Sequence, residues 1–287
     1  MAIIDFIGQV TELTVARVAQ FGYFLTDGTE DVLLHANETD KVLEEGEKVE
    51  VFLYMDNEGR VAATTSVPTI TVGAYDWAKV SDVKPGVGVF VDIGIQKEML
   101  LGEEDLPKHQ SVWPEKDDLL YITLRVSRNH RIYVKLATDT IFEEKRIHAT
   151  REQFNKSIQG HIYRTAKVGS WIFSVEGFKG FIHESQRKVE PRLGEKVESR
   201  IIDVKPDGTI NVSLIPRKHE AIDDDAERIY QYLMSRNGAM PYGDKSRHED
   251  IEERFHMSKG AFKRALGKLI KEGKIYQEEG WTYSKNR

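Results

Sequence analysis

A glycine between aromatic residues in a strand-forming stretch constrains the fold of this chain more than any other feature. The sequence F-G-Y-F begins at Phe21, and the apolar stretch Val32–Leu34 further on is followed by His35. Side chains alternate along a regular strand, so Phe21 and Phe24 would face opposite sides of a sheet. A glycine inside a strand commonly marks a bulge, and a bulge at Gly22 would place both rings on one face. With His35 beside them, the rings would form an open stacking platform for unpaired bases.

Turn signals divide the first 66 residues into the short strands of a small barrel. The first predicted strand begins at Gly8–Val10 and continues over Val15–Leu25. The later predicted strands are Val32–Leu34, Val49–Met55 and Arg60–Thr65. The sequence D-N-E-G between the last two is a strong hairpin signal. Five short strands with such turns are the number that an OB-fold barrel requires. The alternative for the aromatic side chains is an ordinary place in the core, the commoner location of phenylalanine.

The same pattern recurs twice further along, as it does in proteins built from repeats. In the second copy, V-G-V-F takes the place of F-G-Y-F and Gly102 takes the place of the histidine. In the third copy, V-G-S-W ends at Trp171 and the strand sequence G-F-I-H ends at His183. We therefore predict a multidomain, mainly β protein with three tandem OB-fold barrels. Their ranges are 1–66, 67–138 (with an eroded binding face) and 160–219, and residues 139–159 form a linker with a short helix.

These residues resemble the S-one RNA-binding domain, the OB-fold module first named from a small-subunit ribosomal protein. In the first barrel, the resemblance implies RNA contacts from Phe21, Phe24, His35, Asp56 and Arg60. In the second and third barrels, it implies contacts from Phe90, Arg131, Trp171, His183 and Lys205. The third barrel departs from the pattern at two positions, because Lys205 stands where the first barrel has Asp56 and Thr209 replaces Arg60.

From Ile222 onward the pattern becomes helical, and residues 220–287 predict an α+β winged-helix domain of three helices and a hairpin. The first helix is predicted over Ala226–Arg236, behind three aspartates that favour a helix N-terminus. Ser246 begins a capping-box sequence for the second helix, and Ser258 is expected to cap the third.

The third predicted helix, Lys259–Glu272, combines an apolar face with a basic one. Its buried face is expected to consist of Phe262, Leu266, Leu269 and Ile270. Its basic side chains, the candidate nucleic-acid contacts of this domain, are Lys259, Lys263, Arg264, Lys268 and Lys271. In such domains the second helix of the turn enters a groove of the nucleic acid, often assisted by the wing. A solvated basic face on a domain that only packs against or pairs with protein stays an open alternative.

The sequence lacks the signatures of most enzyme and metal sites. It contains no cysteine, which excludes disulfides, thiolate zinc sites and cysteine nucleophiles. It contains no phosphate-binding loop, no H-E-x-x-H and no G-x-S-x-G, and the G-x-G at Gly86 has Val91 where a third glycine belongs. The aspartates at 223–225 are read as a helix start in preference to a metal site. We expect no catalytic residue, metal or cofactor.

Three S-one-type barrels followed by a winged helix form an unusual order, and in this order the chain resembles the bacterial conserved virulence factor B family. The resemblance implies a non-catalytic regulator that binds single-stranded RNA and influences the expression of virulence genes. We find no signal-peptide pattern and no apolar stretch long enough for a membrane span, so we expect a cytoplasmic protein without membrane contacts. Two alternatives stay open: a transcription factor that binds DNA through the winged helix, and an RNA-processing enzyme with unrecognised catalytic residues.

Charge is unevenly distributed along the chain, although the formal net charge is only −6. Residues 1–66 hold 4 Lys+Arg against 13 Asp+Glu, whereas residues 160–219 hold 11 against 7. Phosphate contacts supply a large share of nucleic-acid affinity, and a surface of like charge opposes the approach of a polyanion. We therefore predict that residues 160–287 carry most of the RNA affinity and that residues 1–138 add reach or selectivity.

Overall fold

The computed structural model describes residues 2–216 and 218–285, without the side chains of 218–221. The chain forms two compact units, residues 1–214 and 215–287. Each unit has a hydrophobic core of its own. In the described part of the chain, no helix is both long enough and apolar enough to cross a membrane.

The first unit begins with a closed five-stranded barrel. Its strands are β1 (Val10–Ala19), β2 (Gly22–Thr26), β3 (Asp31–His35), β4 (Lys48–Met55) and β5 (Val61–Thr64). They lie in the order β1-β2-β3-β5-β4, and only β3 and β5 pair in parallel. The predicted strand over residues 15–25 is wrong, because the chain turns at Gln20 and Phe21 and this stretch forms the β1–β2 hairpin.

The next five strands repeat this connectivity but leave one seam open. They are β6 (Asp76–Lys84), β7 (Gly88–Asp92), β8 (Met99–Gly102), β9 (Leu119–Val126) and β10 (Ile132–Leu136). Their order is β10-β9-β6-β7-β8. Within the described residues, β8 and β10 share no hydrogen-bonded ladder, whereas the corresponding strands β3 and β5 do.

The third set of strands again closes into a barrel. It consists of β11 (Ser157–Ala166), β12 (Gly169–Ser174), β13 (Lys179–His183), β14 (Lys196–Val204) and β15 (Ile210–Ser213). The segment before it contains a short helix, α1 (Asp139–Lys145), where the sequence predicts one. Strand β11 already begins inside the segment 139–159.

Helix α1 is packed between the second and third barrels. Its Phe142 side chain is 1% exposed, and its ring centroid lies 4.0 Å from that of Tyr163 and 5.4 Å from that of Tyr121. The Tyr163 hydroxyl also donates a hydrogen bond of 2.9 Å to the Asp139 carboxylate. An aromatic cluster thus joins the two barrels through α1.

The second unit is a winged helix, as the sequence predicts. It consists of α2 (Lys218–Ser235), β16 (Ala239–Met240), α3 (His248–Phe255), α4 (Lys259–Lys271), β17 (Ile275–Glu278) and β18 (Trp281–Ser284). The three strands lie in the order β16-β18-β17, of which β16 is not predicted from the sequence.

Three details of the predicted helices are wrong. Helix α2 begins at Lys218, so the aspartates at 223–225 lie within it and do not start it. The N-cap of α3 is Arg247, and the Ser246 hydroxyl accepts a hydrogen bond of 2.9 Å from the Gly243 amide. On α4, Ile270 is 44% exposed, and Ala265 takes a place in the buried face. The predicted cap of α4 is confirmed, since Ser258 Oγ accepts a hydrogen bond from the amide of Ala261.

Candidate nucleic-acid interface

The glycine of each platform sequence starts a strand instead of forming a bulge. These glycines have φ values of 147°, 141° and 157° and are Gly22, Gly88 and Gly169. A Cβ at Gly22 would lie 2.3 Å from the carbonyl oxygen of Leu34, so β2 and β3 approach too closely there for any side chain. The predicted bulge at Gly22 is therefore wrong. The register shift lies in the neighbouring strand, between Val15 and Arg17 of β1.

This bulge in β1 brings a cation onto the aromatic platform of the first barrel. Arg17 lies opposite Phe24 in the ladder, and its guanidinium carbon is 3.8 Å from the centre of the Phe24 ring. Phe21 lies in the turn before β2, with half of its surface exposed. The two phenylalanine rings meet edge to face with centroids 6.0 Å apart. They are neighbours as predicted, but the turn places them together.

The other residues predicted for the first barrel lie around the same platform. His35 is opposite Gly22 in the ladder, and its Nδ1 accepts a hydrogen bond from the Asn37 amide, which leaves Nε2 for a ligand. Arg60 forms an ion pair of 2.8 Å with Asp56. Partial burial opposes ionisation of Asp56, but hydrogen bonds from Arg60 and Glu58 hold its pKa below the usual value. A cavity of about 750 Å³ has a lining that includes Phe21, Phe24, Leu33, Asp56 and Arg60.

The second barrel keeps one ring but changes its surroundings. Phe90 occupies the place of Phe24, and the residue opposite it in the ladder is Asp82, where the first barrel has an arginine. Lys84 Nζ lies 4.9 Å from the centre of the Phe90 ring, but it also lies 3.4 Å from the Asp82 carboxylate. Gly102 pairs with Gly88, the first residue of β7, at the place where His35 pairs with Gly22 in the first barrel, so no histidine flanks this platform. Arg131 is exposed just before β10.

The third barrel carries the largest aromatic platform. The guanidinium carbon of Arg164 lies 4.4 Å from the centre of the Trp171 ring, after a bulge that matches the one in β1. The ring of Phe181 lies 5.0 Å from Trp171 and 6.3 Å from His183. His183 Nδ1 accepts a hydrogen bond from the Ser185 amide, as His35 does from Asn37. Lys205 is exposed at the start of the β14–β15 hairpin.

Helix α4 presents its basic residues unequally. Lys263, Arg264 and Lys271 are exposed and make no ion pair with any residue that the structure describes. Lys268 pairs with Asp223 and lies 3.5 Å from Glu272, and the hydrogen bond to Asp223 raises the pKa of Lys268 above the usual value. Lys259 lies partly buried at the N-terminus of α4.

The wing adds a row of three rings that sequence reasoning does not single out. Tyr276 and Tyr283 are paired across the β17–β18 hairpin, with near-parallel rings 5.2 Å apart. The Trp281 ring lies 6.4 Å from the Tyr283 ring, and the planes of both ring pairs are inclined by 21°. Tyr276 and Trp281 are each 42% exposed, so the row lies on the outer face of the wing.

Four family models match successive parts of the chain. They describe an S1 domain (the S-one module) over residues 7–66, a CvfB first S1-like domain over 75–135, the second domain of the virulence regulatory factor CvfB over 142–216 and a CvfB-like winged helix domain over 227–283. The chain is 40% identical over 280 residues to conserved virulence factor B of Staphylococcus haemolyticus. The match covers 96% of this chain and 93% of the relative. The chain belongs to the conserved virulence factor B family.

Two other proteins similar to this chain span nearly its whole length. The uncharacterized protein YitL of Bacillus subtilis is 48% identical, over 97% of this chain and 93% of YitL. A crystal structure of a multidomain protein with nucleic acid binding domains from Streptococcus pneumoniae is 34% identical with a TM-score of 0.68, and the match covers 98% of this chain and 99% of that one. The predicted membership in the conserved virulence factor B family, with S-one-type barrels and a winged helix, is thus confirmed.

Within this family architecture, three platform residues escape the sequence analysis: Arg17, Arg164 and Phe181. The two arginines each stand seven positions before the central aromatic residue, a spacing that an alignment of the repeats would have shown. Phe181 precedes His183 by two residues in β13, so strand alternation alone places both on one face. In the described residues, no three His, Asp or Glu side chains come together as metal ligands.

Proposed function

We propose that this chain is a non-catalytic cytoplasmic regulator that binds single-stranded RNA. The observation that carries this proposal is the repeated pairing of a half-buried ring with a guanidinium group, Phe24 with Arg17 and Trp171 with Arg164. A ring face stacks on any unpaired base, and an adjacent arginine adds cation–π attraction and a positive charge near the phosphates.

Two findings from the comparisons support a regulator that binds nucleic acid. A family model for the second domain is described as a virulence regulatory factor, and the streptococcal relative is described as having nucleic acid binding domains. We extend these descriptions to this chain, including a role in virulence-related expression. Single-stranded RNA is the preferred ligand because the bases of a duplex stack on each other and leave no face for the platforms.

Duplex DNA is the second candidate ligand, and the exposed cations of α4 favour it. Lys263, Arg264 and Lys271 lie on the helix that enters the groove in DNA-binding winged helices. Their charges are free of ion pairs within the described residues, so they are available to phosphates.

Fluorescence anisotropy at one fixed salt concentration separates the two ligands. The wild-type chain is expected to bind single-stranded RNA more tightly than a DNA duplex of equal length. A double variant, Phe24→Leu with Trp171→Leu, should lose RNA affinity and keep its DNA affinity. Lys263→Glu should lose DNA affinity and keep its RNA affinity. Tighter binding of the duplex, or RNA affinity that survives the double variant, would refute the RNA proposal. Incubation of labelled RNA with protein and magnesium should leave the RNA intact, and cleavage abolished by a carboxylate substitution would establish an enzyme.

A further inference from the structure

The β4–β5 hairpin of the first barrel reaches the stacking face of the second barrel. Phe52 and Tyr54 of β4 are 0% and 7% exposed because they pack into the core of the second barrel. Just beyond them, the carbonyl oxygen of Met55 accepts a hydrogen bond of 2.6 Å from Lys97 Nζ. The hairpin is therefore fixed against the second barrel by side-chain packing and by a hydrogen bond to its backbone.

A cavity of about 540 Å³ lies at this contact, and its walls come from both barrels. The second barrel supplies a wall that includes Phe90, Leu100, Arg131 and Tyr133. The first barrel supplies the opposite wall, which includes Tyr54 and the hairpin residues Asp56, Asn57, Glu58 and Gly59. A second cavity of about 600 Å³ adjoins it and shares Tyr54, Asp56, Asn57, Phe90, Lys97 and Glu98. The platform of the second barrel is thus one wall of a cleft, and the hairpin of the first barrel is the other.

The same hairpin separates this site from the first platform. Asp56 lines the cavity of the first platform and also the cavity around Phe90. The two cavities also have matching walls, because Phe24, Leu33 and Arg60 in the first correspond to Phe90, Leu100 and Arg131 in the second. They are adjacent sites of the same design on either side of one hairpin.

We propose that one RNA strand crosses this hairpin, with a base on the first platform and a further unpaired base inserted in the cavity between Phe90 and the hairpin residues Asp56–Gly59. This inference rests on the proposed RNA-binding function and adds a site composed of two barrels. The hairpin acts as the second wall of the base site, so the first barrel contributes binding residues to the platform of its neighbour.

The charges of the cavity indicate that a base enters it and that the phosphates stay outside. Three carboxylates on its walls, from Asp56, Glu58 and Glu98, outnumber the two cations there, Lys97 and Arg131, which favours a neutral base over a phosphate. Arg60 pairs with Asp56 and Glu58, and Lys97 Nζ donates to the Met55 carbonyl. Arg131 is exposed and makes no ion pair with the described residues, so its guanidinium is available to a phosphate next to the inserted base.

The test fills the cavity from the hairpin side without changing either aromatic platform. Asn57→Trp places a large side chain on a residue that lines the cavity but not the first platform. Asn129→Trp is the matched control, since Asn129 is exposed in the β9–β10 hairpin and lines neither cavity. Affinity of the full chain is measured by anisotropy for single-stranded oligoribonucleotides of increasing length. Thermal unfolding of each variant reports whether it folds.

As the oligonucleotide is lengthened, the affinity of the wild type and of Asn129→Trp should rise once a base reaches the cavity. The affinity of Asn57→Trp should not rise at that length. The expected deficit on longer oligonucleotides is roughly 5- to 150-fold, which corresponds to the loss of one stacked base. Phe90→Ala should give a similar deficit, and the double variant should lose no more than the larger single loss, because both changes affect one bound base. If the tryptophan prevents folding, Asn57→Leu against Asn129→Leu tests the same wall with a smaller side chain.

Two negative outcomes are distinguishable. If the wild type binds no RNA, the proposed function fails and this inference fails with it. If the wild type binds RNA and the Asn57 variants match the Asn129 variants at every length, the composite site is refuted and the proposed function stands.

Discussion

Replacing Phe142 by alanine is expected to destabilise the first unit by about 3–5 kcal/mol, the usual range for a fully buried phenylalanine. The ring is 1% exposed and touches the rings of both flanking barrels. The Tyr163 and Phe173 rings lie 4.0 and 5.1 Å away in the third barrel, and the Tyr121 ring lies 5.4 Å away in the second. Each such aromatic pair contributes about 0.5–1.5 kcal/mol beyond the burial of its surface. The substitution therefore removes most of the apolar contact between α1 and the two barrels.

Urea denaturation of the full chain, followed by tryptophan fluorescence, measures this loss. The matched control is Phe154→Ala, because Phe154 lies in the same segment but is 50% exposed. We expect the control to change the free energy of unfolding by less than about 1 kcal/mol. Equal effects of the two substitutions would refute the reasoning and show that α1 does not join the barrels.

Two further predictions concern charged groups. Burial opposes ionisation of Asp139, but hydrogen bonds from Lys179 and Tyr163 lower its pKa below the usual value. The stability that this carboxylate contributes is therefore present above the unfolded-state pKa and is lost as the pH falls through the folded-state pKa. The first unit should therefore lose stability on acidification below about pH 4, and Asp139→Asn should flatten that loss in thermal unfolding experiments across pH. On α4, Lys263→Glu should weaken duplex DNA binding more than Lys268→Glu in a salt titration, because Lys268 is already paired with Asp223.

The parts of the fold that follow from sequence are those fixed by local backbone geometry. Gly22 and its two counterparts occupy positions where a side chain would strike the next strand, so a glycine two residues before an aromatic residue marks the start of β2, β7 and β12. Ser258 caps α4 through a hydrogen bond to Ala261, three residues away, and the short apolar stretches between turns are strands. These features depend on residues close together in the chain, which is why a single sequence reveals them.

The errors share a different cause, since no residue type in the sequence marks the contact that decides each of them. The bulge that places Arg17 over Phe24 is a property of the ladder between β1 and β2, and no residue type marks it. Residues 15–25 have strand propensity throughout, so the turn before Gly22 is not evident. Ser246 has the pattern of a cap but bonds Gly243 instead. The packing of Tyr54 into the second barrel, which creates the composite cavity, has no local signal at all.

The division of labour between barrels requires a test in the intact chain. A cut within residues 139–159 would separate Phe142 from Tyr163 or from Tyr121 and expose the cluster that joins the barrels. Single substitutions avoid this problem, and the chain offers a matched pair, Phe24→Leu in the first barrel and Trp171→Leu in the third. Both keep an apolar side chain in the strand and remove a ring that lies under a guanidinium group.

We expect Trp171→Leu to weaken RNA binding more than Phe24→Leu does. The residues of the first barrel, 1–66, carry a net charge of −9, whereas residues 160–219 carry +4. A ring stabilises a bound base by about 1–3 kcal/mol in either barrel. The negative charge of the first barrel opposes the RNA phosphates, whereas the positive charge of the third attracts them. Each neutralised phosphate contributes about −0.7 to the slope of log affinity against log salt, and stacking contributes nothing to it. Trp171→Leu should therefore lower the affinity at every salt concentration with an unchanged slope. A larger loss from Phe24→Leu would show that the first platform dominates in spite of its charge, and that the field does not decide where RNA binds.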